Sequence, residues 1–235
     1  MAWVLGIATI FGGVGGAIAF AKWLRGRLRP LALPTYSSEE LRGRLRILVV
    51  DDQGFTYLPD FLRDGYVITP RHKLGTYSEL ESLDFDLVIL DIRGIAISLS
   101  ADDGLGVAKH VRSTCESRAI LIYSAATYRI DLNTSSADYV FDLTAVDYQS
   151  VKDKVDEIFQ ALTTPEFYIR HFTTSPSVVD SADRETLRAN VRSLLVSPTT
   201  LSVKPRLSSQ QATVRAQAIL RHVAATSSRL HRVPT

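Results

Sequence analysis

Apolar residues in this chain fall into short runs separated by mixed polar stretches. Ile47-Leu48-Val49-Val50 is a β-branched run, and Phe85 to Ile92 (FDLVILDI) is the strongest of its kind. Ala119 to Tyr123 (AILIY) and Tyr139 to Phe141 repeat the pattern, and Tyr66 to Thr69 is a weaker version. Runs that are continuously apolar, not alternating, predict strands buried on both faces. Between them the spacing becomes helical. Residues 104–113 set Leu105, Ala108 and Val111 on one side, and residues 149–162 do the same for Val151, Val155, Ile158, Phe159 and Leu162. Five strands alternating with helices predict an α/β fold, a doubly wound five-stranded parallel sheet. In such sheets ligands bind beyond the carboxyl ends of the strands.

The two ends of the chain read differently. Ala2 to Ala21 carries no charge, with Trp3 and Trp23 at its limits and Lys22, Arg25, Arg27 and Arg29 directly after it. Twenty helical residues span about 30 Å, one hydrocarbon core. The expectation is a transmembrane helix over residues 1–23, single-pass in a bacterial inner membrane, with the N-terminus outside and the remainder cytoplasmic by the positive-inside rule. A cleaved signal peptide would need a basic start and a shorter apolar core. Gly12 and Gly16 form a GxxxG through which the helix could form a homo-oligomer. Residues 24–45 read as a basic juxtamembrane linker, in which Ser37 and Glu40 have the spacing of a helix capping box. Residues 164–235 form a C-terminal α-helical region punctuated by Pro165, Pro176, Pro198 and Pro205. Two helices are expected there, one after Ser181 and one after Ser208.

Charge divides the 235 residues in the same places. The overall balance of +2 conceals +5 over residues 1–46, −9 over 47–163 and +6 over 164–235. The basic flanks could meet anionic lipid headgroups, the acidic centre, or nucleic acid, although no helix-turn-helix signature favours the last. One cysteine, Cys115, excludes an internal disulfide and a cysteine metal cluster, and reads as a small core residue on a helix. The five histidines show no metal-ligand spacing and receive no role.

The candidate chemistry lies at strand ends. Asp51 and Asp52 close the first strand, Asp91 the third, Ser124 the fourth and Asp142 the fifth. In a parallel sheet all of these emerge at one edge. Carboxylates gathered there suit a hard cation such as Mg²⁺. Without it they repel one another or hold a proton.

In order, RILVVDDQ, FDLVILDI, GLGVAKHVR, AILIYSA and ADYVF resemble the landmarks of the response-regulator receiver (CheY-like) family across residues 46–163. The resemblance implies that Asp51, Asp52 and Asp91 bind Mg²⁺, that Asp91 is the phosphoacceptor, that Ser124 contacts the phosphoryl oxygens and that Tyr139 is the switch aromatic. It also exposes departures. The family places a lysine three residues after the strand-five aromatic, followed by proline; here those positions are Asp142 and Leu143. Lys152 and Lys154 come a helix later, and Arg93 is the cation next in sequence to Asp91. The segment from Asp91 to Gly104 is longer than the usual loop, and Pro59 interrupts a short first helix. These departures point to a degenerate receiver, a pseudo-receiver whose phosphorylation is lost, acting in signalling or as a scaffold through a protein partner at the membrane. The alternatives are a Mg²⁺-dependent phosphoryl-transfer enzyme using Asp91 and a structural subunit of a membrane assembly.

Overall fold

Ser37 caps the first helix, α1 (Ser38–Arg42), through the reciprocal bonds that its spacing to Glu40 predicts: Glu40 N–H donates to the Ser37 hydroxyl and Ser37 N–H to the Glu40 carboxylate. The computed structural model describes residues 32–124, 136–142, 146–173, 180–198 and 207–232. The segment read as membrane-spanning lies outside them; no helix among the described residues is long and apolar enough to cross a membrane.

The strands are β1 (Arg46–Val50), β2 (Val67–Arg71), β3 (Leu87–Leu90), β4 (Ala119–Ser124) and β5 (Tyr139–Asp142). All pair in parallel, in the order β2-β1-β3-β4-β5, the flavodoxin-like doubly wound arrangement. Alternation within each apolar run divides the core. Ile47, Val49, Leu87, Ile89, Leu121 and Tyr123 face one side, and Leu48, Val50, Val88, Leu90, Ile120 and Ile122 the other. Helices α2 (Leu58–Arg63) and α5 (Tyr148–Ala161) cover the first face, and α3 (Tyr77–Ser82) and α4 (Gly104–Thr114) the second. Pro59 sits in the first turn of α2, where its missing N–H costs nothing, so it starts this six-residue helix instead of interrupting it.

β2 begins one residue later than expected and continues to Arg71. As an edge strand it is largely exposed and accommodates Pro70. Asp51 N–H donates to Arg71 C=O (3.0 Å), so Arg71 turns its backbone groups toward β1 and Pro70 turns its own outward.

The described residues on both sides of the sheet are built into the sheet domain. Leu41 and Leu45, in the stretch read as a linker, are fully buried, and the Arg42 guanidinium holds Asp156 on α5. From Leu33 onward the chain forms one compact unit. Among the described residues the C-terminal region contains three helices where two were expected: α6 (Pro165–Thr173), α7 (Ser181–Val196) and α8 (Gln210–Leu230). α6 was missed because Pro165 reads as a breaker, yet proline is favoured at a first helical position. Asp180 caps α7 and Ser209 caps α8, each one residue from the expected cap. Phe172, Leu187, Val191, Ala216, Leu220 and Val223 join the first-face core.

Candidate functional site at the carboxyl edge

Asp51 and Asp91 follow directly on β1 and β3, which are neighbours in register. Asp91 N–H continues the ladder to Val50 C=O (2.9 Å). Their side chains therefore emerge together with that of Asp52. One carboxylate oxygen from each of Asp51, Asp52 and Asp91 lies within 4.8 Å of the others. Asp51 is buried and accepts the N–H groups of Gln53 and Gly54, both at 2.9 Å. Asp91 accepts from Ile92 N–H at 2.6 Å. Burial pushes the Asp51 carboxyl above its ordinary value, and the charge of Asp52 adds to this, against the pull of the two N–H groups. Burial also raises Asp91, with Asp51 and Asp52 contributing further. Burial and like charge thus act in the same direction on both carboxyls. Oxygens on opposite sides of a six-coordinate Mg²⁺ stand about 4.2 Å apart. The three carboxylates thus fit a hard divalent cation that keeps waters in its remaining positions.

A long loop walls the site. Gly94 has φ +78°, and a Cβ there would collide with the Asp52 carboxylate. Asp103 ties the loop down by accepting the N–H groups of Gly94 (2.5 Å) and Ala96 (2.6 Å). Gly104 lets the start of α4 close onto the backbone of Asp91 and Ile92, donating its N–H to Ile92 C=O at 2.9 Å. The thirteen-residue advance from Asp91 to Gly104 is therefore an ordered cap. Arg93 directs its backbone N–H to Asp91, while its side chain is exposed.

Val50, Leu90, Ile122 and Val140 share one row across the sheet. Two residues further on, Ser124 and Asp142 are register partners at the ends of β4 and β5. Their backbones reach the expected edge; their side chains lie outside the described residues. Asp142 is the last strand residue, not the first of a loop. Tyr139 stands at the opposite end of β5, half-buried, 4.7 Å from Phe141 between ring centres, with Lys154 Nζ 4.4 Å from its ring centre. Lys154 pairs with Glu157, and Lys152 with Asp64. Both of these α5 lysines are therefore engaged by carboxylates.

At the amino edge of the same sheet is a second set of carboxylates that sequence reading missed. Asp86, fully buried just before β3, accepts from Arg46 N–H (2.8 Å), Thr226 Oγ1 (2.7 Å) and Arg229 Nη2 (2.5 Å), and His222 Nε2 stands 3.5 Å away. Asp138, just before β5, accepts from Ile120 N–H (2.7 Å) and Arg112 Nη2 (2.7 Å), and pairs with His171 Nε2 at 2.8 Å. Burial would raise Asp138, but His171 and Arg112 outweigh it and hold the carboxyl below its usual value. Glu116 takes a forked pair from Arg215, at 2.5 and 2.8 Å. The side-chain partners of Asp86 and Glu116 come from α8, roughly a hundred residues or more away, so local spacing carried no signal of them. Arg215 and Arg229, counted among the surface cations for a lipid or nucleic-acid face, are instead used inside the fold. Cys115 is also relocated, to the partly exposed C-cap of α4 and out of the core.

No protein-family model matches this chain, and no curated protein matches it. Among solved structures it is similar to the response regulator TrrA of Thermotoga maritima in complex with Mg²⁺-BeF, at 28% identity over 48% of this chain and 98% of that one, TM-score 0.39. A CheY-like receiver domain protein from Methanospirillum hungatei is 19% identical over 50% of this chain and 95% of its own, TM-score 0.38. A putative pilus assembly-related protein from Burkholderia pseudomallei is 15% identical over 55% and 96%, TM-score 0.41. Strand order and parallel register, independently of these likenesses, define the fold as a five-stranded doubly wound sheet.

Proposed function

We propose that the chain is a membrane-anchored, receiver-like signalling or scaffold protein. Its carboxyl edge binds Mg²⁺ through Asp51, Asp52 and Asp91, and its phosphorylation switch is lost. The observation that carries this reading is the pairing at that edge. The carboxylate triad is assembled, while the position facing Ser124 on β5 is Asp142 and the nearby lysines are committed to Asp64 and Glu157. A bound Mg²⁺ would offset the triad's negative charge and orient an incoming oxyanion. With an aspartate where a cation would neutralise the phosphoryl group, an acyl phosphate on Asp91 gains too little stabilisation to persist. The domain then works by recognition through the cation-loaded edge and the ordered cap beside it. The uncharged stretch from Ala2 to Ala21, bounded by tryptophans and followed by arginines, supports the anchor.

The test is to incubate the full-length chain with Mg²⁺ and acetyl phosphate and to weigh it. The mass stays unchanged, while calorimetric titration shows Mg²⁺ binding that Asp91→Asn abolishes. A durable gain of about 80 Da on Asp91, one phosphoryl group, overturns the loss of phosphorylation. Steady turnover of the phosphodonor would point to the enzyme instead. If Asp142→Lys gains no adduct, position 142 is not what disables the switch. For the anchor, carbonate-washed membranes should retain the chain, and recovery in the soluble fraction sinks that part of the reading.

A further inference from the structure

We propose that the chain binds a small organic anion with an apolar body, a medium-chain or aromatic monocarboxylate, in a cavity between the α4–β4 turn and α8. The cavity measures about 310 Å³ and is lined by Cys115 and Arg118 from the turn and by Val214, Ala218, Ile219 and His222 from α8. That volume is at the small end of ligand pockets, which combine apolar walls with a few convergent polar groups.

Arg118 decides the charge of the ligand. Its guanidinium lies over the Phe85 ring at 4.0 Å and makes no hydrogen bond or ion pair among the described residues; its Nη1 is buried without a partner. Three other part-buried or buried arginines, Arg112, Arg215 and Arg229, each hold a carboxylate. A guanidinium cannot shed its proton, and its planar donors match a carboxylate in forked geometry. Glu116 also borders the cavity, but the fork from Arg215 occupies it. His222 faces the same space as a neutral ring, since burial draws its pKa down from 6.5 to about 4. Among the described residues, Arg118 therefore borders the cavity as a guanidinium without a carboxylate partner.

The α8 wall decides the rest of the ligand. Ile219 is buried, Ala218 is exposed, and Val214 is a large apolar side chain 60% exposed. An apolar body laid over Val214 and Ala218 beside the buried Ile219 removes the two exposed side chains from water, which inorganic phosphate cannot do. Because one wall belongs to the turn and the other to α8, occupancy also ties α8 to the sheet domain.

Cys115, the single cysteine of the chain, is a built-in reporter on the cavity wall. Its alkylation by iodoacetamide, an uncharged reagent, should be measured on the full-length chain. Saturating hexanoate or benzoate should slow the reaction at least tenfold and raise the thermal midpoint. Hexanol, benzyl alcohol and inorganic phosphate should leave both unchanged. Arg118→Met should remove the protection. Ala218→Phe, a change at an exposed helical position, should remove it as well and keeps the test decisive if the arginine variant fails to fold. Equal protection by the alcohols, equal protection by phosphate, protection that survives both substitutions, or no protection by either carboxylate would each overturn the proposal.

Discussion

The two edges of one sheet use the same residue type to opposite ends. At the amino edge, Asp86, Asp138 and Glu116 are each held by an arginine, and Asp86 and Asp138 also accept a strand's backbone N–H. At the carboxyl edge, Asp51, Asp52 and Asp91 gather within reach of one another, Asp51 and Asp91 accept nearby backbone N–H groups, and burial raises both of those carboxyls. Buried carboxylates with partners hold structure together. Carboxylates crowded without a cation destabilise the fold by itself and are kept for something that arrives from outside. The difference sets a partnered cluster apart from a crowded one, and the crowded one is where the cation site is proposed.

The comparison breaks most visibly at Asp86. Asp86→Ala would strand Arg229, 9% exposed, beside Thr226 with no buried carboxylate. Orphaning one partner of a buried pair costs about 3–5 kcal/mol, to be read from chemical denaturation. A loss under about 1 kcal/mol, the scale of an exposed pair, would show that Asp86 does not hold α8 in place.

Acid titration should set the edges against each other. His222 falls from 6.5 to about 4 on folding, so between those values the unfolded chain binds the extra proton. Stability then drops as pH falls from about 6.5 to 4, by about 3 kcal/mol at most. Asp138, lowered on folding, loses its contribution as pH falls through its folded value. Asp51 and Asp91, raised on folding, behave oppositely: their contribution is present at low pH and lost as pH rises through their folded values. His222→Gln should flatten the slope between pH 6.5 and 4, measured by thermal melts across pH; an unchanged slope would place its cause elsewhere.

A smaller effect is expected at the carboxyl edge. Asp91→Asn without Mg²⁺ should stabilise the chain by about 1 kcal/mol, a part of the few kcal/mol that like charges at this spacing exert. Added Mg²⁺ should stabilise the native protein and leave this variant unmoved. Destabilisation by Asp91→Asn would mean that the triad is not under repulsion. Smallest of all, Lys109→Ala breaks an exposed pair with Asp102 next to the cap and should shift stability by less than about 0.5 kcal/mol.

The sheet and its carboxyl-edge aspartates were legible because each is a local pattern. Ile47–Val50 and Leu87–Leu90 announce strands, and the next charged residue marks where the strand leaves the core. The Ser37–Glu40 box is equally local. The amino-edge cluster was not legible, because Asp86 meets Thr226 and Arg229 only after α8 packs across the first-face core. For the same reason Leu41 and Leu45 passed for parts of a basic linker: the surface that buries them is assembled from elsewhere in the chain. Cys115 was misplaced by a single residue, since α4 ends at Thr114 and leaves it at the C-cap.

Pro70 carries a final consequence. A sheet that stops at β2 presents an unfinished hydrogen-bonding rail to passing chains. Proline in the fourth place of that strand, with its backbone nitrogen facing outward, deletes one donor from the rail. A stray strand would find a gap where the ladder should continue. Copies of this chain concentrated together are thereby kept from zipping edge to edge, and the sheet stays at five strands.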